Sequence, residues 1–571
     1  MTPDPNETAD ATTEPDEPNA TDAEGIDPVT LEVLRNQLES VAEEMGQTLI
    51  RGAYSPNIKE RRDCSTALFD AEGRMIAQAE HIPVHLGAMP AAVDAVLEYD
   101  PRPGDVFVLN DPFRGGTHLP DVTMVSPIAP ETAGGESRDD GGERGDDREI
   151  VGYAVSRAHH ADVGGMTPGS MPAGAREIYQ EGLRLPPTRI VEGGEPREDV
   201  RSLVLANVRN ARERRADLRA QRAANERAED RLAALFDEHG RETVRSGFDA
   251  VIDYSRERIE DEIRALPDGT YEATDVLEGD GVTDDDVEIS VAVTIDGATV
   301  DVDFSGTDGQ LEGNLNAPLA VATSAVYFVV RCLTDPEIPP NHGCYEPVSV
   351  HAPEGSLLNP EPPAAVVGGN VETSQRVTDV VFTALAEAVP DRVPAQGQGT
   401  MNNLTIGARD GSFTYYETIG GGFGARADRD GMDGVQVGMT NTLNTPVESL
   451  ETEYPLRVER YAFRPDSGGR GRFRGGLGLE RTVTVETPAT VSLLTERRRH
   501  APKGVAGGES GATGENLIDG EPVSAKTTVD VDAGTTVTVR TPGGGGHGDP
   551  DERDETALEG DRTDEKTSSG E

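Results

Sequence analysis

From residue 28 to 51 the apolar positions Val29, Val33, Leu38, Val41, Met45 and Leu49 recur at near-helical spacing. Behind an Asp27-Pro28 opening, a cap and a first-turn proline, they predict an amphipathic helix. Ser65 to Ala79 alternates around Asp70-Ala-Glu-Gly73 and reads as a hairpin. Gly104–Asn110 and Ile150–Ser156 are short apolar strands, each ending in a polar cluster. Asn207–Glu262 is rich in Ala, Arg and Glu, with Leu218, Leu232, Leu235, Phe236, Val244, Phe248 and Ile252 along one side, and predicts helix. Beyond Pro267 the pattern changes to strands. Val287–Phe304 alternates about Asp296-Gly297, a hairpin signal, and Leu479–Leu494 and Val523–Arg540 read as strands among glycines. Buried helices are expected at Pro318–Cys332 and Thr373–Val389. The expected fold class is mixed α and β. It is a large multi-lobed chain, helix-rich in its first half and β-rich and Gly-rich toward its C-terminal region.

The 571 residues allow three or four domains at about 150 residues each. Composition divides them into a disordered acidic tail (1–25), a helical region (26–266), a mixed α/β pocket region (267–465), a β-rich region (466–542) and a second disordered acidic tail (543–571). An acidic stretch at 130–149 interrupts the helical region as a surface insertion. Lys+Arg 52 against Asp+Glu 105 gives a net charge of −53. That charge excludes nucleic-acid binding through a basic surface and anchoring on an anionic membrane. Lysine occurs only at Lys59, Lys503, Lys526 and Lys566, and an acidic, lysine-poor surface suits a salt-loaded, halophilic cytoplasm. Cytoplasmic localisation also fits the rest of the chain. No run approaches the roughly 18 apolar residues of a membrane span, the first residues lack a secretory signal, and Cys64, Cys332 and Cys344 show no disulfide or CxxC spacing.

Five of the ten histidines, His81, His85, His118, His159 and His160, fall early in the chain. Two polar motifs each follow a strand: Asn110-Asp111-Pro-Phe-Arg-Gly-Gly-Thr-His118-Leu-Pro-Asp121, and Arg157-Ala-His159-His160-Ala-Asp162-Val-Gly-Gly. If those strands are neighbours in a sheet, imidazoles and carboxylates meet. Two His and one carboxylate with open positions suit Fe, Mn or Zn. An isolated His–Asp pair is more often a structural hydrogen bond, and the spacing alone leaves both readings open. His81 and His85 flank Ile-Pro-Val and can line a cleft. Glu60 and Asp63 lie in a charged cluster before the hairpin, suited to the metal, to acid/base work or to a plain surface. Cys64 has only arginines nearby to lower its pKa and is a weak nucleophile candidate. The arginine run from Arg209 to Arg222 reads as a solvated helix face. Gly368–Gln375, Gly397–Asn403 and Thr418–Arg426 suit either a polar pocket or tight turns. The chain carries no G-x-x-x-x-G-K-[ST] phosphate loop and no G-x-S-x-G elbow.

DPVTLEVLRNQL, NDPFRGGTHLPDV, RAHHADVGGMTPGSMP, NVETSQRVTDVV and GTMNNLTIG, in this order, resemble the hydantoinase B/oxoprolinase family. That family takes in the B subunit of ATP-dependent N-methylhydantoinase, the C-terminal half of 5-oxoprolinase and a large subunit of acetone carboxylase. The resemblance implies ATP-dependent opening of a small cyclic amide or imide. ATP would be bound by a hydantoinase A-type partner within a hetero-oligomer, and this chain would bind no nucleotide. The resemblance further implies a divalent metal (Mn, Fe or Zn) on Glu60, His118, Asp121 and His160 or its neighbour His159, with Asp111, His159 and Asp162 as the catalytic set. Gln436 and Gly438 stand where many relatives carry His-x-His, which puts the substrate in question. A ketone carboxylase subunit, or a structural subunit with a degenerate site, is the alternative.

Because the acidic insertion reads as surface sequence, excising residues 130–149 should shift stability by no more than about 0.5 kcal/mol. Urea unfolding of the deletion variant checks this, and a larger loss would show that the segment packs on the fold.

Overall fold

The helix expected at residue 28 opens the computed structural model, which describes residues 26–130 and 148–568. The 1–25 tail, and the 130–149 insertion apart from its ends, lie outside the described residues. In α1 (Pro28–Gly52) the Asp27 carboxylate accepts the Val29 and Thr30 backbone N–H groups at 3.1 Å each. This satisfies donors that a helix start leaves open. The buried stripe runs through Leu34, Leu38, Val41, Met45 and Leu49, while Val29 and Val33 are exposed.

α2 (Pro56–Lys59), α3 (Ala88–Leu97), α4 (Glu198–Ala206), α5 (Ala211–His239) and α6 (Arg241–Arg264) surround a first sheet. Its strands are β1 (Cys64–Asp70), β2 (Met75–Glu80), β3 (Val106–Leu109), β4 (Asp121–Ile128), β5 (Gly152–His159), β6 (Thr188–Glu192) and β7 (Glu195–Pro196). Their spatial order is β2-β1-β5-β4-β3-β6-β7, antiparallel throughout. The two strands expected to be neighbours, β3 and β5, are therefore separated by β4. That strand escapes a pattern reading because it is buried along nearly its whole length and shows no alternation. Both faces of the sheet centre are covered. Ala67, Phe69, Tyr153 and Val155 pack with α3 and the second sheet, and Cys64, Leu68, Ala154 and Ala158 pack with α1 and α5.

The second sheet holds β8 (Gly269–Glu278), β9 (Asp286–Asp296), β10 (Thr299–Asp303) and β11 (Val348–His351), with the expected turn at Asp296-Gly297. α7 (Leu319–Leu333), α8 (His342–Tyr345) and α9 (Ser374–Leu385) follow, and a π-helical turn at Gly369–Thr373 leads into α9. A third sheet, order β13-β12-β16-β19, uses β12 (Asn403–Ala408), β13 (Thr414–Glu417), β16 (Ala489–Leu494) and β19 (Lys526–Val531). After α10 (Val447–Glu453), a fourth sheet, order β14-β15-β20-β17-β18, uses β14 (Leu456–Phe463), β15 (Leu479–Val485), β17 (Glu515–Ile518), β18 (Glu521–Pro522) and β20 (Thr536–Arg540). The last two sheets share one apolar core. Among the described residues no helix is long and apolar enough to cross a membrane.

Residues 543–568 correct an expectation: the acidic composition suggested disorder, yet the segment is built into the fold. Gly543–Gly546 run against the backbones of Phe423–Gly424 and of 467–476, so close that a Cβ on Gly544 would overlap the Phe423 carbonyl. Only glycine permits that approach. α11 (Glu555–Thr563) follows, tied down by Arg553, which pairs with Asp430 and Asp561 at 2.7 Å each. Those acidic residues are partnered rather than repelling one another.

Glu181 fastens the first sheet's loops to the approach to α9. Its buried carboxyl accepts the backbone N–H groups of Val366 at 2.9 Å and Val367 at 3.0 Å. Burial pushes it from an ordinary 4.5 up to about 8 despite those donors. The folded protein thus holds a proton that the unfolded chain releases above 4.5, and this group's contribution to stability falls as pH rises through that window. Glu181→Gln keeps a carbonyl acceptor and removes the titration. The variant should therefore lose about 2 kcal/mol less stability than the parent between pH 5 and pH 7, read from urea midpoints.

Candidate metal centre

The centre forms where β1, β5 and β4 end together. Strand pairing sets Asp121 opposite His159, and the backbone N–H of His159 donates to the Asp63 carbonyl at 3.0 Å on the other side. Asp63, His159 and Asp121 therefore form one row across the sheet. Beneath it lies a second row of Ser65, Arg157 and Thr123, joined by an Arg157 Nε to Thr123 Oγ1 bond of 2.7 Å. Side chains alternate along a strand, so odd positions of β4 and β5 share this face and even positions turn toward α5.

Loops complete the shell. Asn110 closes the turn that carries His118: its amide donates to the carbonyls of Leu119 at 2.7 Å and Leu183 at 3.0 Å, and its oxygen accepts Leu185 N–H at 2.7 Å. Gly115 takes φ +86°, with its α-carbon against the α3 backbone, where a side chain would clash with Ala91 and Ala92. The short helix Pro83–His85 brings His85 over the sheet, and the π-helical turn brings Asn370.

Asp121 sits at the middle, fully buried. His118 Nε2 lies 3.0 Å and His159 Nδ1 3.2 Å from its Oδ1, and His85 Nε2 lies 3.5 Å from Oδ2. Thr117 Oγ1 donates to Oδ2 at 3.0 Å and Asn370 Nδ2 at 3.3 Å. Burial raises the carboxyl's pKa, but the His118 charge and the hydrogen bonds from the three imidazoles outweigh it and hold Asp121 well below the usual carboxylate range. An ionised carboxylate only accepts, so Nδ1 of His159 carries the proton and Nε2 is left bare. His118 Nδ1 faces the Val367 carbonyl at 3.4 Å, which assigns its proton in the same way. Nε2 of His159 is buried without a hydrogen-bond partner, and Nε2 of His118 and of His85 are buried with only the Asp121 carboxylate beside them. His118, Asp121 and His159 each offer a ligand atom, all within 4.8 Å of one another. Nε2 of His118 lies 3.0 Å from the carboxylate oxygen: protonated it donates to that oxygen, and without its proton the two atoms become neighbouring ligand atoms for one cation. The donor set fits a divalent transition metal.

An aromatic stack braces His159. The Tyr416 ring lies parallel to the imidazole, centroids 4.6 Å apart at 15°. The Arg61 guanidinium covers that ring at 5.0 Å and donates to Tyr416 O at 2.7 Å and Thr418 Oγ1 at 2.9 Å. The Tyr416 hydroxyl donates to Asn403 Oδ1 at 2.9 Å, and Asn403 Nδ2 donates to Glu372 Oε1 at 2.8 Å.

The structure thus brings together His118, Asp121 and His159 of the expected residues and separates the others. His160, expected as a ligand, lies one residue beyond His159 on the α5 side, where its Nε2 bonds Gln221 Oε1 at 3.0 Å. Burial, with Arg214 nearby, pushes it down to about 4. Glu60 ends α2 and is absent from the cavity wall, whereas Asp63 lines it. Asp111 shapes its turn by accepting Phe113 N–H at 3.1 Å and pairing with Arg184 at 3.3 Å. Asp162 accepts Gly164 and Gly169 N–H at 2.9 Å each and pairs with Arg209 at 3.1 Å, so it organises a loop. Burial drives the Cys64 thiol far up, which removes it as a nucleophile. Tyr416, Glu181 and Arg61 escaped sequence reasoning, whereas Asn370 falls in the Gly368–Gln375 segment read as polar pocket or tight turn. His85 is legible in the sequence only as one of two histidines flanking Ile-Pro-Val and able to line a cleft.

Comparison with known proteins agrees with this architecture. The family model described as hydantoinase B/oxoprolinase matches residues 27–550. 5-oxoprolinase 1 of Arabidopsis thaliana is 39% identical over 552 residues, covering 91% of this chain and 42% of that protein. A putative D-/L-hydantoinase B subunit of Pseudomonas sp. strain NS671 is 32% identical over 562 residues, covering 94% of this chain and 92% of that one. The crystal structure of ATP-dependent caprolactamase from Pseudomonas jessenii matches with a TM-score of 0.86 and 30% identity over 95% of each chain. The chain therefore spans less than half of the plant enzyme and nearly all of the two bacterial proteins. With the family model matching nearly the whole chain and relatives at 39% and 32% identity, the chain belongs to the hydantoinase B/oxoprolinase family.

Proposed function

We propose that this chain is the metal-bearing B subunit of an ATP-dependent cyclic amidohydrolase. It would open a small cyclic amide or imide whose oxygen a hydantoinase A-type partner has phosphorylated. The observation that carries the reading is the buried cavity where His118, Asp121 and His159 bring ligand atoms within 4.8 Å of one another. The Pseudomonas relative named as a hydantoinase B subunit, and the sequence's lack of a phosphate loop, support a partner that binds ATP.

His118, Asp121 and His159 would hold a divalent cation, Mn, Fe or Zn, with His85 beside them. Bound there, such an ion polarises a carbonyl oxygen and lowers the pKa of water. The protein's own groups do the rest. Val367 O and Asp121 Oδ1 fix the tautomers of His118 and His159 so that each Nε2 faces the cavity. Tyr416 and Arg61 keep the His159 ring from turning. Ile82, Val84, Val371 and Met401 line the cavity and limit water. Asp63, the remaining carboxylate on the wall, is placed to accept a proton from an attacking water at its carboxylate oxygens. It takes the role expected of Asp111, Asp162 or Glu60, which lie elsewhere.

Co-expression with an A-type subunit tests the reading by ATP hydrolysis and product analysis with 5-oxoproline, hydantoins, caprolactam, and acetone with bicarbonate. One cyclic amide or imide should stimulate ATP hydrolysis and be opened. Bicarbonate-dependent consumption of acetone alone would select the carboxylase reading instead. His118→Ala and Asp121→Asn should lose tightly bound metal, measured by elemental analysis, and more than about 100-fold in turnover. His160→Gln should retain the metal. Tyr416→Leu should weaken metal binding about 10- to 100-fold while Tyr416→Phe stays within a few-fold, because the ring and not the hydroxyl braces His159.

A further inference from the structure

A second concavity, of roughly 330 Å³, opens between α7, α9 and the loops at 392–397, 423–426 and 503–505. Its apolar wall is aromatic. Phe328 and Phe382 meet edge to face, centroids 6.4 Å apart at 84°, and Phe423 stands across from them. Its polar wall is cationic. Arg392, Arg426 and Lys503 all line it and are exposed. Arg426 lies over the Phe423 ring at 5.4 Å, and Arg392 Nη1 donates to the Leu333 carbonyl at 3.0 Å. Among the described residues neither arginine has a carboxylate within ion-pair distance, 4.0 Å, whereas most surface arginines of this chain do. Lys503, one of four lysines in the chain, reaches Asp275 at 3.3 Å. The one carboxylate on the wall, Asp379, is already matched by Arg376 at 3.1 Å and Arg497 at 2.7 Å.

Charge makes this grouping informative. In a chain of net charge −53, two arginines outside ion-pair distance of any described carboxylate (Arg426 feels Asp428 at longer range) and a lysine around an aromatic trough concentrate positive charge, which draws anions. Phenylalanine faces and edges take a ring-sized apolar body, and guanidinium forks take a carboxylate or phosphate in two-pronged fashion. The groove is distinct from the metal cavity. Gln375, Val437 and Gly438 line the groove, whereas Asn370, Val371 and Thr440, close by in the same two segments, line the cavity. Gln375 Nε2 donates to Val437 O at 2.9 Å and closes the wall between them.

We propose that this groove is a binding site for a small organic anion, a ring-sized apolar body carrying a carboxylate or phosphate. The inference rests on the groove alone and stands whichever substrate the metal centre serves.

Calorimetric titration of the full chain tests it, at one fixed high salt concentration and after a chelator has stripped divalent metal. The probes are phenyl phosphate, benzoate, benzyl alcohol and inorganic phosphate. Phenyl phosphate or benzoate should bind saturably at one site, at least tenfold tighter than benzyl alcohol and than inorganic phosphate. The stronger of the two anions identifies the headgroup. Arg392→Gln/Arg426→Gln, changes at exposed side chains, should weaken the anion at least tenfold and leave benzyl alcohol unchanged. Phe382→Leu should weaken all three ring compounds. His118→Ala should change none of these affinities, which separates the groove from the metal centre. Equal affinity for benzyl alcohol and the aromatic anions would overturn the proposal. So would equal affinity for inorganic phosphate, or an arginine double variant that binds like the parent.

Discussion

The register between β4 and β5 is the constraint on which the centre depends. Asp121 pairs with His159, and every second residue along both strands then faces the same way. A slip of one residue would turn Asp121 toward α5 and bring Val122 into the cavity, leaving the imidazoles without their carboxylate. Apolar packing on both faces enforces the register: Val125, Tyr153 and Val155 pack on one side, and Met124, Ala154 and Ala158 on the other. The hydrophobic core therefore sets the geometry of the polar site.

A carboxylate as deeply buried as Asp121 is costly unless each lone pair finds a donor or a cation. Here it has a threonine hydroxyl, an asparagine amide and three imidazoles around it, with the fully buried Arg157 one row below. Arg157 is itself pushed down to about 10 by burial, offset in part by Asp121. The two charges lie on one face of one sheet, and Arg157 spends its donors on Thr123 Oγ1 and the carbonyls of Ala88 and Gly115 instead. Such an arrangement keeps Asp121 ionised while leaving its oxygens free of an arginine fork that would compete with a metal.

Much of this was legible in the sequence. The helices, the two hairpins and the H-x-x-D motif rest on local pattern, and local pattern survives folding. The choice between His159 and His160 does not, because both follow the same strand and only the parity of the β4–β5 pairing selects one. Glu60 and Asp63 present the same problem, three residues apart on either side of a helix end. Asp111 and Asp162 look catalytic by composition, yet their oxygens are spent on backbone N–H groups and arginines, which composition does not record. Tyr416 reaches His159 from the third sheet, and Arg61 bonds it across 355 residues of chain. The C-terminal segment misled for the opposite reason, since its acidic residues drew attention from a glycine run whose lack of side chains is its structural purpose.

Those glycine layers carry a consequence for biosynthesis. Gly422, Gly476 and Gly544 press backbone on backbone, so the ribosome must deliver more than a hundred residues after the first member before the stack can close. Tyr416, which braces the metal-site histidine, lies only a few residues before Gly422. A nascent chain arrested short of the 540s would hold Gly422 and Gly476 without Gly544 to pack against them. The stack is in this way closed late, by the most featureless stretch of the polypeptide.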